Sequence, residues 1–472
     1  MRSSFADLNT AMRALMANQQ ALSVVNHNIS NANTLGYSRQ TVKLTTSIPF
    51  PMPTFNRVAI VGQMGTGVQV QMIQRHRNDF IDLQLRAEYE SLSQWRVTQD
   101  VLQQAELFFH EPSENGLSAA FSRFWNSWTE LSNRPQDAAV RQALRENAVD
   151  LASTLNDTYG RLSALRADVN DQVGLKVQQI NSLSERIATL NEQIVKVQSV
   201  GYQPNDLRDQ RDVLVDELSR LASISYVEMS NGALSISLGG RNLVYGEEHN
   251  SLQVVEDLTN GNMYAVQWAV DGVPATVLGS ELRGLLDLRD ISLPGLMDKL
   301  NQMAATLVEE VNALHRSGYG LNGTTGQDFF TALAGSEAST IAVASAVAAD
   351  VANIAAASSP DAPGDASNAL AIASIQQQKV MGGGSMSIGG FYQALISQLG
   401  VDVSNAHSMA ANQELLVQHL SECKEEESGV SLDEESIDLI RYQRAYQAAA
   451  RVITIIDETL DLVINRMGLV GR

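Results

Sequence analysis

Apolar residues recur at helical spacing through most of the chain. Near the start, Phe5, Leu8, Met12, Leu15, Leu22 and Ile29 fall on a grid of alternating three- and four-residue steps, with Gln19 and Asn26 in the two remaining positions. Toward the other end, Leu439, Tyr442, Tyr446, Ala449, Ile453, Ile456, Leu460, Val463 and Met467 keep the same grid without a break. This is the spacing of a coiled-coil seam. It predicts one amphipathic helix at each extremity, paired with the other or offered to neighbouring molecules.

Between the ends the pattern predicts a helical body. Leu85, Tyr89, Leu92, Trp95, Leu102 and Phe109 mark a long helix stopped at Glu111-Pro112, and Phe121, Phe124, Trp125 and Trp128 mark a second that stops before Pro135. A third begins near Asp137 and carries a seam through Val169, Val173, Ile180, Leu183, Ile187, Leu190, Ile194 and Val197, with Gly160 and Gly174 as candidate kinks. A periodic run of that length reads as a rod rather than a globule. Gly201 to Pro204 ends it, and Asn205 or Asp206 is the expected cap of the next helix, which carries Leu214, Leu218 and Leu221.

The period then changes from helical to alternating. Residues 224–279 read as short strands, with turns at Asn231-Gly232, Gly239-Gly240 and Asp271-Gly272, and predict a small β domain inserted into the helical body. Helical spacing resumes at Ser280, with one break expected at Pro294. A Gly/Thr loop (317–335), an Ala-rich stretch (338–357), a linker (358–367) and a Gly-rich joint (381–390) precede a last body helix near 391–422. The fold class expected is mainly α with an inserted small β domain, built as paired terminal coiled-coil helices plus a long-helix rod. The expected boundaries are 1–40 with 428–472 for the terminal tube domain, 41–79 for an extended linker, 80–223 with 280–427 for the rod, and 224–279 for the β insertion.

Composition narrows the function. The 472 residues carry 33 Lys and Arg against 53 Asp and Glu, a formal charge of −20. That excess argues against non-specific nucleic-acid binding and against docking on anionic lipid. No stretch approaches the length of apolar sequence that a membrane span needs. Asp7, Asn9 and Asn18 interrupt the region where a secretory signal requires an apolar run. That leaves the cytoplasm, or export by a machine that reads another signal. The single Cys423 excludes an intrachain disulfide framework.

Catalytic and ligand motifs are weak. The seven histidines (27, 76, 110, 249, 315, 407 and 419) form no ligand grouping by spacing, and neither a metal nor a cofactor is expected. Gly320, Gly323 and Gly326 imitate a phosphate loop without the Lys-Ser/Thr that such a loop needs. Ser421-Glu-Cys-Lys424 matches S-x-x-K without its companion motifs and abuts acids that would oppose an oxyanion. The Phe121–Trp128 aromatics are expected in the core rather than on a stacking surface. The acidic run 422–438 reads as a solvated joint. No enzymatic activity is expected, and sequence chemistry alone leaves a cytoplasmic coiled-coil scaffold and an enzyme with dispersed active-site residues as alternatives.

Three further stretches carry a resemblance. Asn26-His-Asn28-Ile-Ser-Asn31-Ala-Asn33-Thr34-Leu-Gly36-Tyr37-Ser38-Arg39-Gln40 resembles the motif shared by the rod, hook and hook-associated proteins of bacterial flagella. Asn205-Asp-Leu-Arg-Asp209-Gln-Arg211-Asp212 is similar to a body helix of the hook-associated branch. Gly429-Val-Ser-Leu432-Asp-Glu-Glu435, followed by Leu439, Arg441-Tyr-Gln-Arg-Ala445-Tyr446-Gln and Ala449, resembles the C-terminal signature. The chain departs from the family at Leu35, where proline is usual, and its outer insertion is short. The resemblance implies a non-enzymatic axial protein, exported through the flagellar type III apparatus, that forms a ring of identical subunits at the distal hook end and connects hook to filament, the alternative being another axial protein of the flagellum (third hook-associated protein, hook or rod). It implies contacts with hook protein and with an adjoining hook-associated protein, and a cytoplasmic export chaperone on the C-terminal helix. The implied assembly interface comprises Leu8, Leu15, Leu22, Ile29, Asn31, Asn33, Gly36, Tyr37, Leu439, Tyr442, Tyr446, Ile453, Ile456, Leu460, Val463 and Met467. The termini are expected to be weakly ordered in a free monomer, because an isolated helix is marginal in water, and to gain order by packing in the assembly.

Overall fold

The computed structural model describes residues 4–49, 65–109, 111, 113–114 and 116–466. Met467, His110 and Pro112 lie outside the described residues. The elements in chain order are α1 (Ser4–Asn31), β1 (Gln40–Thr46), β2 (Val68–Arg75), α2 (Asp79–Phe109), α3 (Leu117–Asn133), α4 (Ala138–Ser199) and α5 (Asn205–Leu221). Strands β3 (Ile224–Glu228), β4 (Leu234–Leu238), β5 (Arg241–Tyr245), β6 (Glu248–His249), β7 (Leu252–Asp257) and β8 (Met263–Trp268) follow. The remainder is α6 (Ser280–Asp287), α7 (Leu293–Ser317), β9 (Phe330–Thr331), α8 (Glu337–Thr340), β10 (Ala342–Val343), α9 (Ser345–Ala349), α10 (Ser367–Ser374), α11 (Ile388–Ser428) and α12 (Leu432–Asp461). The fold is mainly helical with small antiparallel sheets. No helix among the described residues is long and apolar enough to cross a membrane.

Two compact units emerge. The first takes Met1–Tyr89, Asn181–Ser251 and Leu415–Arg472; the second takes Glu90–Ile180 and Leu252–Glu414. In the first unit α1 packs along α12 and against the β1–β2 pair. The stretch 41–79, expected as an extended linker, thus carries two paired strands, with Gln40 opposite Arg75 and Thr46 opposite Val68. The buried stripe of α1 is Ala11, Ala17, Ala21, Val24, Val25 and Asn28. Small side chains at that seam let a helix approach its partner closely. The larger residues of the sequence grid sit beside it: Leu8, Leu15, Leu22 and Ile29 are half-buried, and Phe5 and Met12 are exposed.

The segment expected as a single β insertion forms two separate sheets. Strands β3 to β6 make a four-stranded antiparallel sheet in the first unit, and β7 pairs with β8 in the second. Gly239 and Gly240 both have positive φ (54° and 85°), as a two-residue type I′ hairpin turn requires. Helix α4 continues through Gly160 and Gly174. Pro294 sits in the first turn of α7, directly after a π-helical turn over Leu288–Ser292, so the expected break falls where proline's missing N–H is harmless.

The second unit has an aromatic core. Phe124 and Trp128 of α3 are fully buried; Trp128 lies 5.1 Å from the Phe329 ring and Phe124 lies 5.6 Å from Phe330. Tilted contacts of this kind avoid a face-to-face sandwich, which the aromatic quadrupole disfavours. Asn312 of α7 fastens the loop that delivers these rings: its amide donates to Phe330 O (2.8 Å), and its Oδ1 accepts Phe329 N–H (2.9 Å) and Phe330 N–H (3.0 Å).

Candidate functional site

In the first unit, three sequence stretches far apart in the chain meet in one buried polar joint. Asn28, at the end of α1, is 1% exposed. Its amide donates to Gln40 O (2.8 Å) and to Glu435 Oε2 (3.0 Å). Its Oδ1 accepts the Tyr37 hydroxyl (2.7 Å) and Gln40 N–H (3.1 Å). A side-chain amide has two donors and one acceptor oxygen with two lone pairs, so Asn28 is saturated. Glu435 lies in the first turn of α12, where the helix dipole favours a carboxylate. Its other oxygen accepts Arg39 Nε at 2.7 Å, and Arg39 also reaches Glu434 at 2.7 Å. Ser431 caps α12, its side chain accepting Glu434 N–H.

Burial, then the nearby Asp206, Asp209 and Glu435 charges, pushes the Tyr37 phenol well above its usual range. It stays a donor to Asn28 across physiological pH. The turn that presents it closes with Tyr37 N–H donating to Thr34 O (3.1 Å). Gly36 occupies the third position of that turn with φ +77°, and a Cβ there would stand 2.1 Å from Val213 Cγ2. Both the backbone angle and the space demand glycine. Asn31 braces the turn, donating to His27 O (3.0 Å) and accepting the Thr34 hydroxyl (3.3 Å).

Helix α5 supplies the other wall. Asp206, Asp209, Asp212 and Asp216 recur at three- and four-residue steps and share a face. Asp206 accepts Gln40 Nε2 (2.7 Å) and Asp209 accepts Ser38 N–H (3.0 Å). Arg75 bridges Asp209 (2.6 Å) and Asp212 (3.0 Å). Arg77 pairs with Asp82 and with Asp212 (2.9 Å), and Arg86 pairs with Asp216 (2.6 Å). Lys424 of α11 joins Asp82 (3.1 Å) to Asp216 (3.0 Å). Burial opposes ionisation of Asp82 and Asp212, but Arg77 and its neighbouring cations outweigh it and hold both carboxyls below the usual range. At Asp209 burial prevails over Arg75 and raises the carboxyl.

Asn205 does not cap α5 as expected. Pro204 is the N-cap residue and bonds no side chain to the helix end. The Asn205 amide is committed instead to Gln40 Oε1 (3.0 Å) and Ile73 O (3.1 Å), so tertiary partners outbid the local cap. The acidic run is likewise not simply a solvated joint: α11 extends to Ser428 and Lys424 is held between two carboxylates.

The implied interface residues are placed as follows. Asn31, Gly36 and Tyr37 belong to the joint and Asn33 is exposed on its turn. Leu439, Tyr442, Tyr446, Ile453, Ile456 and Leu460 are half-buried along α12, and Val463 is 54% exposed. Sequence reading missed Arg75, Arg77, Asp82, Arg86 and Lys424. The Arg75-His-Arg77 run opposite an acidic α5 face was the available signal. A groove of about 710 Å³ opens beside the Leu35 turn, lined by His27, Tyr37, Leu190, Asp206 and Val213. No group of three or more metal-ligating side chains occurs among the described residues. The arrangement fixes α1, α5, α11 and α12 against one another.

Comparison with known proteins gives matches along the length of the chain. The family "Flagellar hook-associated protein FlgK helical domain" matches residues 102–330. Residues 425–467 match "Flagellar basal body rod FlgEFG protein C-terminal", and residues 8–37 match "Flagella basal body rod protein". Flagellar hook-associated protein 1 of Bacillus subtilis (strain 168) is 34% identical over 509 residues, covering 100% of each chain. That of Escherichia coli (strain K12) is 28% identical over 550 residues, covering 97% of this chain and 99% of its own. Among solved structures, the flagellar hook junction protein FlgK from Burkholderia pseudomallei has the same fold, with a TM-score of 0.67 at 19% identity, covering 74% of this chain and 100% of that one.

Proposed function

The chain belongs to the flagellar hook-associated protein 1 family, and from that membership we propose that it is the structural piece joining hook to filament in the bacterial flagellum. The family is one of external flagellar structural proteins, and its setting supplies hook and hook-associated neighbours. In this reading copies of the chain form a ring. Residues 1–40 and 428–472 build its inner tube and 80–223 with 280–427 the next shell, with the two separate sheets of 224–279 as decorations. The chain is synthesised in the cytoplasm, is held there by a chaperone on its C-terminal helix, and leaves through the flagellar export apparatus.

One observation supports the ring most directly. The pairing of α1 with α12 leaves large apolar side chains outside along both helices: Phe5, Met12 and Met16 on α1, and Ile437, Ile440, Val452 and Ile455 on α12. Scattered apolar residues are normal on a surface, but a helical series of them along both members of a pair marks an interaction face. Together with the half-buried Leu8, Leu15, Leu22, Ile29, Leu439, Tyr442, Tyr446, Ile453, Ile456 and Leu460, these would meet neighbouring subunits. Deleting the coding region should leave hooks without filaments and flagellin lost to the medium. Supplying a chain lacking 428–472 should not restore filaments, although its body still folds. Normal filaments on the deleted cells would refute the assignment.

A further inference from the structure

His315, near the end of α7, has no exposed surface. Its two ring nitrogens face partners of opposite kind. Nδ1 is 2.7 Å from Gln327 O, which can only accept, and Nε2 is 3.0 Å from Ala355 N–H, which can only donate. Both bonds form only in the neutral ring with its proton on Nδ1.

The same peptide unit is gripped from its other side. Arg141 of α4, 1% exposed, donates to Ile354 O (2.7 Å), Val351 O (3.3 Å) and Pro135 O (2.8 Å). These three partners are all carbonyls, and burial pushes the guanidinium down to about 10, with Asp350 opposing. One peptide bond, Ile354–Ala355, therefore has its oxygen on a buried cation and its N–H on a neutral imidazole. The segment it anchors is buried through Ala355, Ala356 and Ala357 and pairs with the Gly/Thr loop through Tyr319 and Ala357.

We propose that His315 is an acid-operated latch: a proton on Nε2 releases the 351–357 segment and loosens the 318–330 loop in the second unit. Protonation converts the acceptor into a donor facing the Ala355 N–H. It also sets a second positive charge across one peptide from Arg141. The charged groups facing the ring are Arg141 and Asp328, and the Asp328 carboxylate is engaged by Arg316 of α7, while Asp350 acts on Arg141. Burial lowers the affinity of the folded ring for a proton, against the smaller pull of Gln327 O and Asp328. An opened segment exposes a histidine that titrates near 6.5. The opened state thus binds the proton first. Its population should rise by up to about tenfold per pH unit below that value, until the folded ring also titrates.

Hydrogen exchange of the full chain, corrected for the intrinsic pH dependence, reads this directly. Between pH 6.5 and pH 5 peptides covering 351–357 should lose up to about 15-fold in protection, while peptides from α4 over 162–180 hold theirs. His315→Gln keeps a donor and an acceptor without a titrating ring, so the acid response should vanish. Persistence of the response in H315Q overturns the latch. If H315Q lacks native protection at pH 7, the wild type still decides the matter. With 13C-labelled histidine, NMR of the wild type should show the ring of the closed chain still neutral as exchange of 351–357 rises, because only the opened minority carries the proton there. A closed segment whose His315 ring protonates at or above pH 6.5 overturns it.

Discussion

Replacing Asn28 with alanine removes four hydrogen bonds from a side chain that is 1% exposed. Three involve neutral partners, at about 1 kcal/mol each, and the bond to the Glu435 carboxylate contributes about 1.5–3 kcal/mol. Such contributions are not additive within one network, so a local loss of about 4 kcal/mol is expected, close to 10³-fold in the opening equilibrium. A whole-chain melting temperature is a poor reporter, because a chain of several units does not unfold in two states. The Gln40 amide is a better one, since its acceptor is Asn28 Oδ1 itself. Its exchange protection should fall by about three orders of magnitude in N28A, while amides near Ala188 hold theirs. Asn28→Asp sharpens the test. It keeps the acceptor oxygen but sets a carboxylate about 3 Å from Glu435, a repulsion of about 5 kcal/mol at an effective dielectric constant near 20. One member of the pair should take up a proton, so N28D should be closer to wild type at pH 4.5 than at pH 8. Gln40 protection within about threefold of wild type in N28A, or no pH dependence in N28D, would refute the reasoning.

Four other substitutions and a pH profile test the joint. Gly36→Ala meets both a positive φ and the Val213 methyl and should destabilise the first unit by about 2–5 kcal/mol, read in the exchange protection of the Gln40 amide. Adding Val213→Ala should recover only the steric part. Leu35 is the second residue of a turn whose third has φ +77°, the type II pattern that favours proline at this position. Leu35→Pro should therefore raise the local stability of the joint by about 0.4–1 kcal/mol, and lower exchange protection of the Gln40 amide would contradict the turn assignment. Asp82 and Asp212 are held below the usual carboxylate range, so their contribution is complete above about pH 4 and fades as pH falls through their folded values. Asp209, shifted upward, protonates earlier in the folded state and partly offsets that loss. Lys424→Met removes a cation from Asp82 and should move the acid limb of stability to higher pH, whereas an unmoved limb would show that Lys424 does not act on it.

What the sequence determined by itself is the set of helices and the family motifs. Helical period is a local property, fixed by which positions along one segment are apolar, and so α2, α3, α4 and α5 were legible from Leu85, Phe124, Val169 and Leu214. The Asn26–Gln40, Asn205–Asp212 and Gly429–Glu435 stretches were visible as separate strings. Their convergence was not, because Asn28 and Glu435 are 407 residues apart and nothing in either segment names the other. The face of α1 that goes inward was also undecided locally: leucines mark a plausible seam, but close helix pairing selected the alanine stripe. Asn205 looked like a cap because caps are local, and the tertiary structure gave its amide better partners in Gln40 and Ile73. The β segment divided between two units for the same reason. Strand patterning says that a residue needs a neighbour, and only the folded chain decides which neighbour is within reach.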